Sequence, residues 1–339
     1  MKSRIICAVI ALFVCVVHAT AALSPEAQAL LDYLKSINGK KMLSGTMANV
    51  DWNINEALWV HQHTGRWPAL NCFDYIHHMR SKPGGELDYT NTQVVEDWHA
   101  AGGIVSIMWH WNVPARESGR YAFYSKDTDF DVRKIFEEDS PEYALMLKDI
   151  DLIASYLKLL KDKHIPVIWR PLHEAGGKWF WWGGDADACR RLWHVMYQRF
   201  AEAGLDNLIW AFTPAAAWQQ PLTDGMRWYP GDEYVDIVGY DIYNVASGQA
   251  CHDEQYQFLR QQCPDKLVAL TECGNVATMS SQWEAGAKWL FFMPWYDYRR
   301  TRDLSSEAFS ATEHQHGPVS WWQDAWAQDY VLSRDQVSY

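Results

Sequence analysis

The stretch "EYALMLKDIDLIASYLKLLKDKHIPVIWRPLHE" (142–174) passes from one periodicity to another within a few residues. Residues 142–163 carry apolar side chains at a 3.6-residue period, which predicts an amphipathic helix. "IPVIWRPLHE" (165–174) is instead a short, almost unbroken apolar run ended by polar groups, the pattern of a strand buried on both faces of a parallel sheet. Seven further runs of this kind occur: "KMLSGTM" (41–47), "WPALNCFDY" (67–75), "GIVSIMWHW" (103–111), "NLIWAFTP" (207–214), "VDIVGYDIY" (235–243), "KLVALTECG" (266–274) and "KWLFFMPWYD" (288–297). Helical patterns lie between them, among them 91–101 and 185–203, the latter opened by Asp185. Eight strands alternating with helices predict a (β/α)8 TIM barrel in a single α/β domain. An open doubly wound sheet would carry a Gly-rich phosphate loop after its first strand, and "LSGTMANVDWN" (43–53) is no such fingerprint.

The 339 residues contain no linker, repeat or low-complexity tract, so residues 23–339 read as one barrel domain. Residues 1–22 read as a signal peptide: Lys2 and Arg4 precede the apolar "IICAVIALFVCVV" (5–17), too short for a permanent membrane span, and small residues follow at cleavage spacing. The expectation is an exported protein, periplasmic or secreted, with no membrane span. Net charge is −12, and loss of Lys2 and Arg4 with the leader takes it to −14, which argues against nucleic acid or anionic lipid as partner. Five cysteines remain after the leader; Cys251 and Cys263 either form a bridge or stay as thiols. Tryptophan is abundant, at 20 residues, and the need of each indole N–H for a partner leads us to expect many of them partly exposed.

Barrel enzymes assemble their sites at the C-terminal ends of the strands. Here those ends carry Asp74, His110 and Trp111, His173 and Glu174, Asp241 and Tyr243, Thr271 and Glu272, and Trp295 and Tyr296. Strict alternation would place Ile168, Arg170 and Leu172 on the side of Glu174, and Val268 and Leu270 on the side of Glu272. Arg170 would then be a buried cation in need of an anion, with Glu174 and Glu272 as candidates. Two carboxyl groups across a barrel mouth are the equipment of glycoside hydrolysis. Glu174 stands beside the aromatic run Trp179, Phe180, Trp181 and Trp182, where desolvation would keep it protonated. Glu272 could accept a hydrogen bond from Tyr243 that favours its charged form. The loop 112–140 is expected to shape the site.

Other chemistries fit less well. "HEAGG" (173–177) lacks the second histidine of a zinc-protease motif. His61, His63, His77 and His78 read as solvated side chains, Cys273 as a small buried thiol, and no G-x-S-x-G elbow is present.

With "WRPLHEAGGKWFWWG" (169–183), "ALTECG" (269–274), "VGYDIY" (238–243) and "MWHW" (108–111) in this order, the chain resembles the β-mannanases of glycoside hydrolase family 26. The resemblance implies a retaining mechanism on β-1,4-linked mannose, with Glu174 as acid/base and Glu272 as nucleophile. It implies sugar contacts from His110, His173, Trp179, Asp241, Tyr243 and Trp295, and neither cofactor nor metal. The expected partner is β-mannan, glucomannan, galactomannan or a manno-oligosaccharide, bound by a monomer. Exo-release of mannobiose, cleavage of β-1,3-xylan or mixed-linkage glucan, and plain glycan binding stay open as alternatives.

Overall fold

The computed structural model describes residues 22–215, 222–243, 253–300 and 303–339. The expected leader (1–22, save Ala22) and Cys251 lie outside this set. Eight parallel strands close into a barrel: β1 (Met42–Met47), β2 (Leu70–Asp74), β3 (Ile104–Met108), β4 (Val167–Arg170), β5 (Leu208–Phe212), β6 (Ile237–Tyr243), β7 (Leu267–Gly274) and β8 (Phe291–Pro294). β8 returns to β1 through Leu43 opposite Phe291 and Ser44 opposite Phe292, which closes the barrel. Each strand falls inside one of the eight runs read from the sequence.

The helix Pro141–Lys161 shows why the segments fold as they do. Ser140 accepts from the Tyr143 N–H at 3.1 Å, and Pro141 stands in the first turn, where no N–H is needed. Met146, Ile150, Ile153, Leu157 and Leu160 bury one stripe against the barrel. Truncating one of them to alanine is expected to cost roughly 2–5 kcal/mol. Asp185 caps the next helix, Ala186–Glu202, by accepting from the Ala188 N–H at 2.9 Å. At the N-terminal end of the barrel, Leu30, Leu34 and Ile37 of the helix Pro25–Ile37 join the interior cluster of Leu43, Leu70, Ile104, Ile168, Ile209 and Ile237, plugging that end. The C-terminal mouth remains open.

Four expectations are corrected. Val268 and Leu270 pack outward against the helices, while Leu267 and Ala269 face the barrel interior. The reason is a β-bulge: Tyr240 pairs with Leu270 but Asp241 pairs with Glu272, so Thr271 is an extra residue and the parity of β7 reverses there. Leu172, beyond the end of β4, also belongs to the outer core. Most tryptophans are core: Trp59, Trp98, Trp109, Trp111, Trp169, Trp182, Trp193, Trp289 and Trp322 are fully buried. Finally, the histidines are not simply solvated. His78 is buried, accepting from the Trp109 indole at 3.2 Å and facing Asp149 at 3.4 Å, and His61 stacks on Trp67 with ring centroids 4.2 Å apart. Cys273 is a buried thiol, as read.

Candidate active site

Arg170, the last residue of β4, sets the floor of the mouth. It is 2% exposed, so its charge must be met inside the protein. Its guanidinium donates to Glu272 Oε1 at 2.7 Å, to Thr213 Oγ1 at 2.9 Å and to Asp241 Oδ2. The bulge at Thr271 makes this possible. It turns Thr271 and Glu272 inward together, and the Thr271 hydroxyl donates to Asp241 Oδ1 at 2.7 Å. Of the two anions foreseen for Arg170, the structure pairs it with Glu272 and adds Asp241, which is fully buried beneath the cleft. Asp241 therefore does not line the cavity, contrary to its expected place at the sugar.

Glu272 accepts on both oxygens, from Arg170 and from the Tyr243 hydroxyl at 2.6 Å. That is the hydrogen-bonding pattern of a carboxylate. Glu174 is held differently. The chain leaves β4 through two non-glycine residues in the left-handed region, Leu172 at φ 47° and Glu174 at φ 53°. Each such residue stores about 1–3 kcal/mol of strain. The backbone is tied to the neighbouring strand end by Glu174 N–H to Thr213 O at 3.0 Å and Gly176 N–H to Pro214 O at 2.7 Å. The Trp179 indole donates to Glu174 Oε2 at 2.9 Å. Gly177 lies beneath that indole: a Cβ there would sit 2.1 Å from the ring. Burial, with Asp241 and Glu272 adding negative charge nearby, pushes the Glu174 carboxyl well above the usual range. One oxygen each from Glu174, Asp241 and Glu272 fall within 4.8 Å of one another. Among the described residues this is the one His/Cys/Asp/Glu cluster tight enough to ligate a cation, and the Arg170 guanidinium already neutralises two of its members.

Around this pair the mouth forms a cavity of about 360 Å3 that brings together His110, His173, Glu174, Trp179, Tyr243, Glu272 and Trp295. His110 is oriented by Asp74, which takes its backbone N–H at 3.0 Å and faces ring Nδ1 at 2.6 Å, so Nδ1 carries a hydrogen. Burial, with His110 and Arg170 nearby, holds the His173 pKa well below its ordinary value, so this imidazole is neutral. Of the aromatic run 179–182, only Trp179 and Phe180 reach the cavity. Trp181 and Trp182 are buried braces whose indoles donate to the carbonyls of Trp111 at 2.7 Å and His173 at 2.9 Å.

Tyr124, Tyr298 and His316 also line the cavity and were not foreseen. Tyr124 comes from the loop 112–140, which is stitched to the segment after β4. Ser125 N–H donates to Trp179 O at 2.8 Å, and Trp181 N–H donates to Phe123 O at 3.1 Å. The expectation that this loop shapes the site is met. Tyr298 follows the eighth strand directly, in "WYDY" (295–298), and the rule that named Trp295 could have found it. His316 lies in "EHQHG" (313–317), where no sequence pattern marks it.

The sequence model described as glycosyl hydrolase family 26 matches residues 19–316. A mannan endo-1,4-β-mannosidase of Thermothelomyces thermophilus is 36% identical over 326 residues, covering 92% of this chain and 61% of that protein. The crystal structure of the family 26 domain of an endo-β-mannanase/endo-β-glucanase from Prevotella bryantii superimposes with a TM-score of 0.82 at 33% identity, over 94% of this chain and 98% of that one. A β-mannanase from a symbiotic protist of the termite Reticulitermes speratus, solved with a gluco-manno-oligosaccharide, gives a TM-score of 0.78 at 32% identity over 94% and 96% of the two chains. The chain spans 61% of the first curated relative and under half of two from Piromyces, at 47% and 44%.

Proposed function

The chain belongs to glycosyl hydrolase family 26, and from that premise we propose that it is a retaining endo-β-1,4-mannanase acting on β-mannan, glucomannan or galactomannan. The single observation that carries this reading is the meeting of Glu174 and the ion-paired Glu272 at the barrel mouth, with an oxygen of each within 4.8 Å of the other. Retaining glycosidases hold their carboxyl groups about 5–5.5 Å apart, whereas inverting enzymes leave about 6.5–9.5 Å for a water. An oxygen of each group already within 4.8 Å supports the shorter arrangement, in which Glu272 itself attacks.

In the first step Glu272 attacks the anomeric carbon while Glu174 gives its proton to the departing glycosidic oxygen. The broken C–O bond is replaced by an ester to Glu272. In the second step Glu174, now a carboxylate, takes a proton from water as that water displaces Glu272. Arg170 and Tyr243 hold Glu272 in line and stabilise its charge when it departs. Trp179 orients the Glu174 carboxyl and offers its face to a sugar ring. Neutral His173 and the His110 ring meet sugar hydroxyls. Asp241 acts from below, by fixing Arg170 and raising Glu174.

The test is hydrolysis of mannan with product stereochemistry followed by proton NMR. The expected first product is the β-anomer, and a mixture of oligosaccharide lengths marks endo action. An α-anomer appearing first would overturn the retaining reading, and mannobiose alone from the outset would replace endo with exo action. Glu272→Ala is expected to release no new reducing ends. The basic start and apolar run of residues 1–22 support export to the periplasm or medium, and we take the enzyme to act as a monomer.

A further inference from the structure

The wall beyond β8 rests on a buried ionic group that no step of the reaction uses. Glu56, on the helix Asn55–Thr64 that follows β1, is 2% exposed. Its carboxylate accepts from Arg300 Nε at 2.8 Å and from the Asp297 N–H at 3.3 Å, and its other oxygen lies 2.8 Å from His314 Nε2. Arg300 is itself buried, 4.4 Å above the Trp59 ring. The other ring nitrogen of His314, Nδ1, accepts the backbone N–H groups of His316 and Gly317, each at 3.0 Å. These partners assign the tautomer: Nδ1 offers its lone pair, so the hydrogen sits on Nε2 and goes to Glu56. A carboxylate in the first βα unit thus holds the backbone of residue 316.

His316 carries that restraint to the catalytic carboxylate. Its ring stands edge-on to Tyr243, with centroids 5.6 Å apart at 77°, and Tyr243 donates to Glu272 at 2.6 Å. Gly274, two residues past Glu272, allows the approach, since a Cβ there would lie 2.3 Å from His316 Nδ1. Among the described residues neither ring nitrogen of His316 has a hydrogen-bond partner, and both are shielded from solvent. Burial, with His314 nearby, lowers its pKa to about 4, so it is an uncharged wedge at neutral pH.

We propose that Glu56, His314 and His316 form a positioning relay that fixes the Tyr243 ring and, through it, the orientation of Glu272. This rests on the reading of Glu272 as nucleophile. The restraint originates on the helix after β1 and the segment after β8 and ends on β6 and β7, so the closed barrel itself brings the links together. His316 works by shape, since its ring nitrogens make no hydrogen bond among the described residues.

The experiment is a set of substitutions assayed on mannan, with thermal unfolding by circular dichroism as the folding control. His316→Ala is expected to lower kcat/KM by roughly ten- to a hundredfold, the scale of a misplaced reacting group. His316→Phe keeps the wedge and is expected to stay within about threefold of the parent. Combining His316→Ala with Tyr243→Phe should be no worse than Tyr243→Phe alone. His314→Asn, whose side-chain oxygen still accepts the two N–H groups but which loses the hydrogen given to Glu56, should fall between the parent and His314→Ala, which matches His316→Ala. Losses that multiply in the double variant, a His316→Phe as damaging as His316→Ala, or equal losses in the two His314 variants would each overturn the relay. Glu272→Ala in the same assay separates the two ideas. If it is inactive, a failed relay leaves the nucleophile in place; if it turns over at near-parent rate, both fall.

Discussion

Arg170 on β4 donates to Glu272 on β7 at 2.7 Å, across the barrel mouth, and the same guanidinium holds Asp241 on β6. One buried cation thus sets the height and direction of the Glu272 carboxylate. Its removal leaves two buried carboxylates facing each other with no counter-charge. Arg170→Met is expected to lose about 3–5 kcal/mol of stability in urea unfolding, the range for breaking one side of a buried pair. Hydrolysis of mannan should fall below detection. Arg170→Lys should rescue neither property fully, because a single ammonium cannot bond both carboxylates and Thr213 in a planar fork.

Glu174 links stability to pH with a definite sign. Its folded pKa is raised, mainly by burial, so the native state holds a proton that the unfolded chain has released. Stability from this group is therefore complete below the ordinary carboxyl range of about 4.3 and is lost as pH rises toward the folded value. Glu174→Gln, whose amide cannot ionise, is expected to melt higher than the parent at neutral pH, with the gap closing as pH falls to about 4. A gap that is flat from acid to neutral would contradict the raised pKa. In the parent, activity should decline on the alkaline side as Glu174 loses its proton.

Gly177 tests the coupling of the aromatic wall to the acid. Its missing Cβ leaves room for the Trp179 ring, which otherwise would lie 2.1 Å away, and that ring donates to Glu174 at 2.9 Å. Gly177→Ala should displace the indole and lower kcat on mannan by roughly tenfold or more, as loss of an orienting contact does. Substrates with activated aryl leaving groups, which need little help from an acid, should lose much less.

Tyr124 probes binding rather than chemistry. It is 40% exposed, lines the cavity and stacks on Phe180 with centroids 5.6 Å apart. It makes no hydrogen bond to Glu174 or Glu272 among the described residues. Tyr124→Ala is expected to raise KM for mannan by about three- to tenfold with kcat little changed, the signature of lost uniform binding. A fall in kcat of similar size would place Tyr124 in the chemistry instead.

The strands and the main helices were legible because their signal is local. A buried strand announces itself by an unbroken apolar run, a helix by its 3.6-residue period, and both properties survive in any window of about ten residues. All eight strands lie within runs readable in the sequence, and Asp185 caps the helix it was expected to open. Glu174, Glu272, His110, His173, Tyr243 and Trp295 were readable because barrel strands deliver their last side chains to one rim, and Trp179 because it stands in the motif that carries the family resemblance.

What the sequence determined by itself was therefore the set of elements and the rim residues they carry. Only the tertiary structure decided which of those residues face one another. The bulge at Thr271 reverses the parity of β7, Asp241 sinks beneath the floor to hold Arg170, and Trp181 and Trp182 serve as buried braces behind the cavity. His316 reaches the mouth through His314 and Glu56, a contact between the first helix after β1 and the segment after β8. These outcomes depend on strand register and on the closure of the sheet, which couple positions far apart along the chain. Local periodicity cannot express that coupling, because it repeats in the same way whatever the distant partner is.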